Sequence, residues 1–138
     1  MPHSTDHLKS LIEANSAEIV KMHSRIKETV ALRGKSAQKQ HEWEHACEVF
    51  HSKYDSLAFP GGFSGALDRI IAGDPYAMEA AICFLELRPY FFRSGYMFDS
   101  ILRKAKRAPL TKDQAARLQH IIQALAAWRV SKNAVSGA

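Results

Sequence analysis

The sequence predicts an all-α protein of about six helices arranged in successive antiparallel hairpins. Three observations lead to this prediction. Apolar residues recur at alternating three- and four-residue steps, which is the period of an α-helix with one buried face. Residues that favour helix starts and helix ends fall between these periodic segments. The strict apolar–polar alternation of a half-buried strand occurs nowhere.

The length and composition predict one globular domain. The 138 residues suffice for an ordinary core, so we expect a single helical domain over residues 1–138. Its internal boundary is expected near residues 58–63, where Phe-Pro-Gly-Gly separates an N-terminal hairpin from the C-terminal helices. The N-terminus lacks the apolar segment of a secretory signal, and no run approaches the roughly 20 apolar residues of a membrane span. Two cysteines at apolar helical positions are typical of reduced thiols. We therefore expect a cytoplasmic protein that does not bind a membrane.

The N-terminal part predicts a helical hairpin. One amphipathic helix is expected over about 6–33 and a second over about 37–57. Gly34 is the candidate C-terminal residue of the first helix, and Ser36 is the candidate N-cap of the second. Such a short link favours antiparallel neighbours. The residues expected to face each other are Leu8, Ile12, Asn15, Ile19, Met22, Ile26 and Thr29 in the first helix, and Trp43, Cys47, Phe50, Tyr54 and Leu57 in the second.

The segment 74–98 is the most apolar of the chain, and we expect it to form the centre of the fold. Asp74 followed by Pro75 is typical of an N-cap and a first helical position. Pro89 cannot continue the helix. From Tyr76 to Leu87 only Glu79 and Glu86 are charged, so the helix is apolar nearly all round and must be covered by other elements.

The remaining helices are shorter or more basic. One is expected over 64–72, a basic one over 96–108, and a last one from Thr111, which forms a capping-box pattern with Gln114. Residues 131–138 are expected to fray. We expect both tryptophans to be buried.

Residues 64–87 and 96–128 are each a helix, a tight turn with a proline and a second helix. This arrangement loosely resembles the stacked helical hairpins of HEAT repeats. It suggests hairpin stacking in the C-terminal half.

The pentapeptide HEWEH, from His41 to His45, satisfies the H-E-x-x-H pattern of zinc metalloproteases. With His51 six residues on, the segment resembles the longer metzincin pattern H-E-x-x-H-x-x-G-x-x-H. The resemblance implies that the three histidines are zinc ligands and that Glu42 is the general base. In this chain Glu48 stands where that family has the glycine that turns the third histidine toward the metal.

Three interpretations of HEWEH stay open. We favour two solvated histidines, because helical geometry points them away from the apolar stripe of their helix. A surface zinc site completed by Glu44, Glu48 or a partner chain is the second. A zinc-dependent hydrolase is the third, although such enzymes have a sheet before this motif and the first forty residues here predict one long helix. We expect no cofactor, zinc being the only candidate.

Arginines and aromatic residues interleave in the segment 88–96, and a basic helix follows it. Arginines beside stacking rings are one way to hold single-stranded nucleic acid. Alternatively, the aromatic residues form a plug that turns the chain back into the core, with arginines at its rim. None of the common nucleic-acid-binding motifs occurs. The candidate binding surface comprises Arg88, Tyr90, Phe92, Arg93, Tyr96, Arg103, Lys104, Lys106 and Arg107.

Net positive charge is concentrated in the second part of the chain. Residues 1–74 hold nine Lys and Arg against ten Asp and Glu, whereas residues 75–138 hold ten against four. This asymmetry weakly favours an anionic partner.

We therefore predict a non-catalytic, macromolecule-binding protein, foremost a protein–protein interaction or adaptor module that docks through its C-terminal half. A nucleic-acid-binding module using the same surface is the first alternative, and a zinc-dependent hydrolase using HEWEH is the second. Only in that last case would Glu42 be catalytic. Homo-oligomerisation stays open.

Overall fold

Six α-helices and their links make up residues 5–136, the part of the chain that this computed structural model describes; side-chain surroundings are described for residues 5–133. No strand occurs in this part. The prediction of an all-α fold with about six helices is therefore confirmed. The helices are α1 (Thr5–Val30), α2 (Ala37–Ala58), α3 (Ala66–Ile71), α4 (Pro75–Leu87), α5 (Ser94–Ala105) and α6 (Lys112–Ser136).

Helix α4 lies at the centre, as its composition predicts. It packs against α1, α3, α5 and α6, and every residue from Ala77 to Leu85 is buried. Its start is fixed by Asp74, whose carboxylate accepts a hydrogen bond of 2.8 Å from the Ala77 N–H, and Pro75 occupies the first helical position. This cap satisfies one of the N–H groups that a helix start leaves without an intrahelical partner.

Helices α1 and α2 form the predicted hairpin. The Ser36 hydroxyl caps α2 by accepting from the Lys39 N–H at 3.1 Å. Gly34 is not the left-handed residue expected there, because α1 ends at Val30 in a series of turns and the φ of Gly34 is not positive. Trp43 is only half-buried, below the Arg33 guanidinium. The reason is that α2 packs extensively against α1 alone, so the edge of its apolar stripe stays uncovered.

The predicted boundary near residues 58–63 falls in the turn between α2 and α3. Phe59 is fully buried there, and the Arg69 guanidinium donates a 2.8 Å hydrogen bond to the Gly62 carbonyl. The division of the chain at this turn stays a prediction.

Helix α6 begins as predicted but ends differently. The backbone N–H of Thr111 donates to the Gln114 side chain at 3.0 Å, and the N–H of Gln114 donates to the Thr111 hydroxyl at 3.1 Å, so the capping box is confirmed. The helix continues to Ser136, whereas fraying was expected from residue 131; residues 137 and 138 lie outside the described part. At 1.5 Å per residue, α6 is about 37 Å long and α4 about 20 Å, so the second half of α6 overhangs its support.

One expectation for the C-terminal half is wrong for this reason: Trp128 is 50% exposed, because it lies on the overhanging part of α6. Helix α3 packs against α4 and α5, and α4 packs against α6, as in stacked hairpins, but α5 and α6 make little contact with each other. The resemblance to HEAT-like stacking therefore stays a prediction. In the described part of the chain, no helix is long and apolar enough to cross a membrane.

Candidate functional site

The link between α4 and α5 has an unusual backbone. Arg88 and Arg93 adopt left-handed conformations, with φ of 49° and 66°, and no other non-glycine residue of the described part has a positive φ. This conformation costs a residue with a Cβ roughly 1–2 kcal/mol, so the surrounding packing must hold it in place. Residues from Arg88 through the first turn of α5 are called the 88–96 segment below.

Interactions with the core hold the 88–96 segment. Phe91 is buried, with ring centroids 6.1 Å from Tyr54 and 6.4 Å from Phe84. The Phe91 N–H donates to the Ser94 hydroxyl at 3.0 Å, and the Tyr54 hydroxyl donates to the Phe92 carbonyl at 2.6 Å. Burial raises the pKa of Tyr54, partly opposed by the charge of Arg93, so the hydroxyl keeps the proton that it donates. The segment therefore has a fixed shape.

The aromatic residues of this segment divide into two groups. Phe91 is the plug that the sequence suggested as one interpretation. In contrast, Tyr90 is 91% exposed, Tyr96 is 79% exposed and Phe92 is 41% exposed. Exposed single apolar residues are common, whereas several large exposed rings on one loop are a candidate interaction surface.

These rings border a groove between the 88–96 segment and α1, which we call the aromatic groove. Its volume is about 900 Å³, and α1 contributes Val20, His23, Ser24 and Lys27 to its lining. The ring of Phe92 packs near His23, with centroids 5.0 Å apart, and near Phe50 at 5.9 Å. The groove is thus partly apolar and is supported by helices from both halves of the chain.

Two arginines of the groove lie over aromatic rings. The Arg93 guanidinium is 5.3 Å from the ring centroid of Phe92. The Arg88 guanidinium is 5.2 Å from Phe98 and 5.4 Å from Trp128. Such contacts orient the guanidinium groups while leaving their charge without a counter-ion. Trp128 thereby joins this surface, although its helical period predicted a core position.

The charge of the aromatic groove is positive. Lys27, Arg88 and Arg93 line it, against the single acidic residue Asp99. Among residues 5–133, no carboxylate lies within ion-pair distance of any of these three basic residues. The first turn of α5 holds no acidic residue that would offset them.

The structure separates the predicted binding surface into two parts. Five of its residues line the aromatic groove, namely Arg88, Tyr90, Phe92, Arg93 and Tyr96. The other four, Arg103, Lys104, Lys106 and Arg107, do not line it. They lie roughly 10–16 Å further along the axis of α5 and the turn after it, at 1.5 Å per residue. The groove itself therefore contains five of the nine residues of the predicted binding surface.

The HEWEH motif lies on the exposed side of α2. His41, His45 and His51 are all exposed, and α2 continues without a break past Glu48 to its end. The turn that would bring His51 back to a shared metal is thus replaced by regular helix. Within the described residues, no three His, Cys, Asp or Glu side chains are placed to hold a metal ion. A three-histidine zinc centre does not fit this geometry, whereas a surface site completed by a partner chain stays a prediction.

A second groove, the α1–α2 groove, contains part of this motif. Its volume is about 810 Å³, and its lining includes His41, Glu42 and His45. Three of its charged side chains pair locally: Arg25 lies 3.7 Å from Glu28, and Glu42 lies 3.4 Å from Lys39 just outside the lining. Its two basic residues, Lys21 and Arg25, face three acidic ones, Glu18, Glu28 and Glu42.

An ion-pair network that was not predicted from the sequence joins α1, α4 and α6. The Arg117 guanidinium donates to Glu79 at 2.8 Å and to Glu86 at 2.6 Å. Glu79 is buried and also accepts from Gln114 at 3.1 Å and from Thr5 at 2.9 Å. No buried side-chain nitrogen or oxygen of the described residues lacks a partner. The network is therefore complete without a ligand and serves to hold α6 against α4.

The pKa shifts in this network fit a structural role. Burial alone would raise the pKa of Glu79, but hydrogen bonds from Arg117, Gln114 and Thr5 outweigh it and lower the pKa. The hydrogen bonds from Arg117 also lower the pKa of Glu86. Burial, with the nearby charge of Glu79, raises the pKa of the Cys83 thiol to about 11. Because the thiolate is the nucleophile, this cysteine is not reactive at neutral pH.

Comparisons of the chain with protein-family models, with curated proteins and with solved structures give no match.

Proposed function

We propose that this protein is a non-catalytic binding module that docks another protein at the aromatic groove. One observation supports this most directly: Tyr90 and Tyr96 are almost fully exposed on a segment whose backbone is strained and fixed. Tyrosine, tryptophan and arginine are the residues most enriched among those that dominate binding energy at protein interfaces. A fixed segment also loses little conformational entropy when it binds. Both cysteines are unpaired, which agrees with the cytoplasmic location that we propose.

Nucleic acid is the weaker proposal for the same groove. A base stacks on a free ring face; Tyr90 and Tyr96 offer one, whereas guanidinium groups already lie over Phe92 and Trp128. The four basic residues at the end of α5 do not line the groove, so they supply no phosphate contacts inside it.

Site-specific photo-crosslinking in the source cells tests the protein-binding proposal. A benzophenone amino acid replaces Tyr90 or Tyr96 in turn, and His41 in the α1–α2 groove serves as the control because it is also exposed. We expect one crosslinked protein of defined mass from both tyrosine positions and none from position 41. We also expect binding of that protein to be lost with Tyr90→Ser and Tyr96→Ser. Equal crosslinking from all three positions, or none from the tyrosine positions, would contradict the proposal.

A further inference from the structure

The charge of the aromatic groove indicates what kind of protein segment it binds, provided that the docking function proposed above is right. We propose that the occupant is acidic: a short stretch of a partner protein in which carboxylates stand next to apolar or aromatic residues. It would lie between α1 and the 88–96 segment.

The charge of the groove is complementary to that of an acidic segment. Three basic residues line the groove, on two different elements, and none is within ion-pair distance of a described carboxylate. Against them the lining holds one acidic residue, Asp99, so the groove carries a net positive charge. A cluster of like charges destabilises the free protein slightly and is relieved by an anionic partner.

The rings of Phe92, Phe98 and Trp128 hold the guanidinium groups of Arg93 and Arg88 at the groove. A guanidinium so placed presents its N–H groups as a fork that matches a carboxylate. Lys27 adds a more flexible charge from α1 on the other wall.

The groove also contains apolar surface. Phe91 and Phe98 are buried beneath it, while Tyr90, Tyr96 and the half-exposed Val20 border it. A purely acidic polymer would leave these rings uncovered, so the occupant must also carry apolar anchors. Interfaces of this kind combine a buried aromatic centre with a charged rim.

Phage display with a random twelve-residue peptide library tests the acidic occupant without knowledge of the partner. The wild-type protein is used for selection and the Lys27→Glu variant for counter-selection. We expect the selected peptides to contain several Asp or Glu and at least one aromatic residue. Synthetic versions are then measured by fluorescence anisotropy, each beside a copy with Asn and Gln in place of Asp and Glu. We expect the acidic copy to bind about tenfold more tightly or better.

Three charge reversals locate the interaction. Lys27→Glu and Arg93→Glu should each weaken binding of the acidic peptide about tenfold, because both residues line the groove. Arg107→Glu makes the same change of net charge outside the groove and should alter the affinity less than about twofold. Lys27 lies on α1, so its result stands even if Arg93→Glu disturbs the left-handed start of α5. Circular dichroism confirms that each variant is folded.

The outcomes separate this inference from the proposed function. Selected peptides that are neutral or basic but need Tyr90 and Tyr96 would overturn the acidic occupant and keep the docking function. Absence of any selected peptide, together with absence of a crosslinked protein, would overturn both. An equal loss with Arg107→Glu would show a general charge effect and overturn the inference. Sub-micromolar binding of a single-stranded 20-nucleotide DNA that Arg93→Glu abolishes would assign the groove to nucleic acid instead.

Discussion

The two grooves beside α1 are similar in size but differ in how their charges are used. The α1–α2 groove measures about 810 Å³ and the aromatic groove about 900 Å³. At 100° per residue, Glu18, Lys21 and Arg25 face one side of α1, whereas Val20, His23 and Lys27 face nearly the opposite side. In the first groove Arg25, Glu28 and Glu42 pair with neighbours on the same helix. In the second, Lys27, Arg88 and Arg93 have no carboxylate within ion-pair distance among the described residues.

This difference shows why the more specific sequence motif is the weaker functional candidate. HEWEH lies on a long regular helix, where Glu42 pairs with Lys39 three positions away and no group of the described side chains converges on a metal site. The 88–96 segment has no recognised motif, but its strained backbone places rings and cations together. We therefore place the proposed docking site at this segment.

The largest expected effect is on the free energy of unfolding, and it distinguishes an arginine with ion pairs from one without. Arg117→Leu should lower the free energy of unfolding by about 3 kcal/mol, because it leaves the carboxylates of Glu79 and Glu86 without their main partner. Arg93→Leu should lower it by less than about 1 kcal/mol, the value of an exposed cation–π contact. Urea denaturation measures both. Equal losses of stability in the two variants would contradict the distinction between paired and unpaired cations.

A pH series tests the same network through the acids. The pKa values of Glu79 and Glu86 are lowered below their ordinary value of 4.5, so their contribution to stability is fully present above that pH. It is lost as the pH falls through the lowered values. The stability difference between the wild type and Arg117→Leu should therefore shrink between pH 5 and acid pH. A difference that stays constant down to pH 2.5 would show that the ion pairs are not its source.

A smaller effect on stability is expected at Tyr54, which holds the segment that borders the aromatic groove. Tyr54→Phe removes the hydrogen bond to the Phe92 carbonyl and should cost about 1 kcal/mol of stability. It should also speed hydrogen exchange of the amides at residues 90–96. Ser56→Ala is the control, since its hydroxyl bonds only an exposed carbonyl one turn back on α2. Unchanged exchange in Tyr54→Phe would mean that the segment is held by packing alone.

The smallest effect is expected in the α1–α2 groove. His41→Ala and His45→Ala should each change stability by less than about 0.5 kcal/mol, because both side chains are exposed. We expect substoichiometric metal in protein purified without an affinity tag, and no effect of a chelator on Tm. Stoichiometric zinc that is lost in His41→Ala would restore the zinc interpretation, and hydrolysis abolished by Glu42→Gln would establish the enzyme.

What could be predicted from the sequence was local. Asp74-Pro75 and the Thr111–Gln114 capping box fix helix starts through neighbouring residues, so they were found correctly. The exposure of Trp128 was missed, because periodicity gives the face of a helix but not how far its neighbour extends. The network was missed because Glu79 and Arg117 are distant in sequence and meet only through tertiary packing.

Only part of the candidate site could be predicted, because the rest depends on tertiary packing. The aromatic and arginine residues of the 88–96 segment stand out in the sequence, but the contributions of His23 and Lys27 from α1 depend on the fold. Nothing in the identity of an arginine signals a left-handed backbone at Arg88 or Arg93. The basic cluster at the end of α5 follows the segment closely in the sequence but does not line the groove.

Binding of the crosslinked partner to two double variants tests the central claim most directly. One variant carries Tyr90→Ala and Tyr96→Ala in the aromatic groove, and the other carries His41→Ala and His45→Ala in the α1–α2 groove. Isothermal titration calorimetry should show at least about a 30-fold loss of affinity for the first, equivalent to one interface hot spot of 2 kcal/mol. The second should stay within about twofold of the wild type. A larger loss in the histidine variant than in the tyrosine variant would contradict the assignment of docking to the aromatic groove.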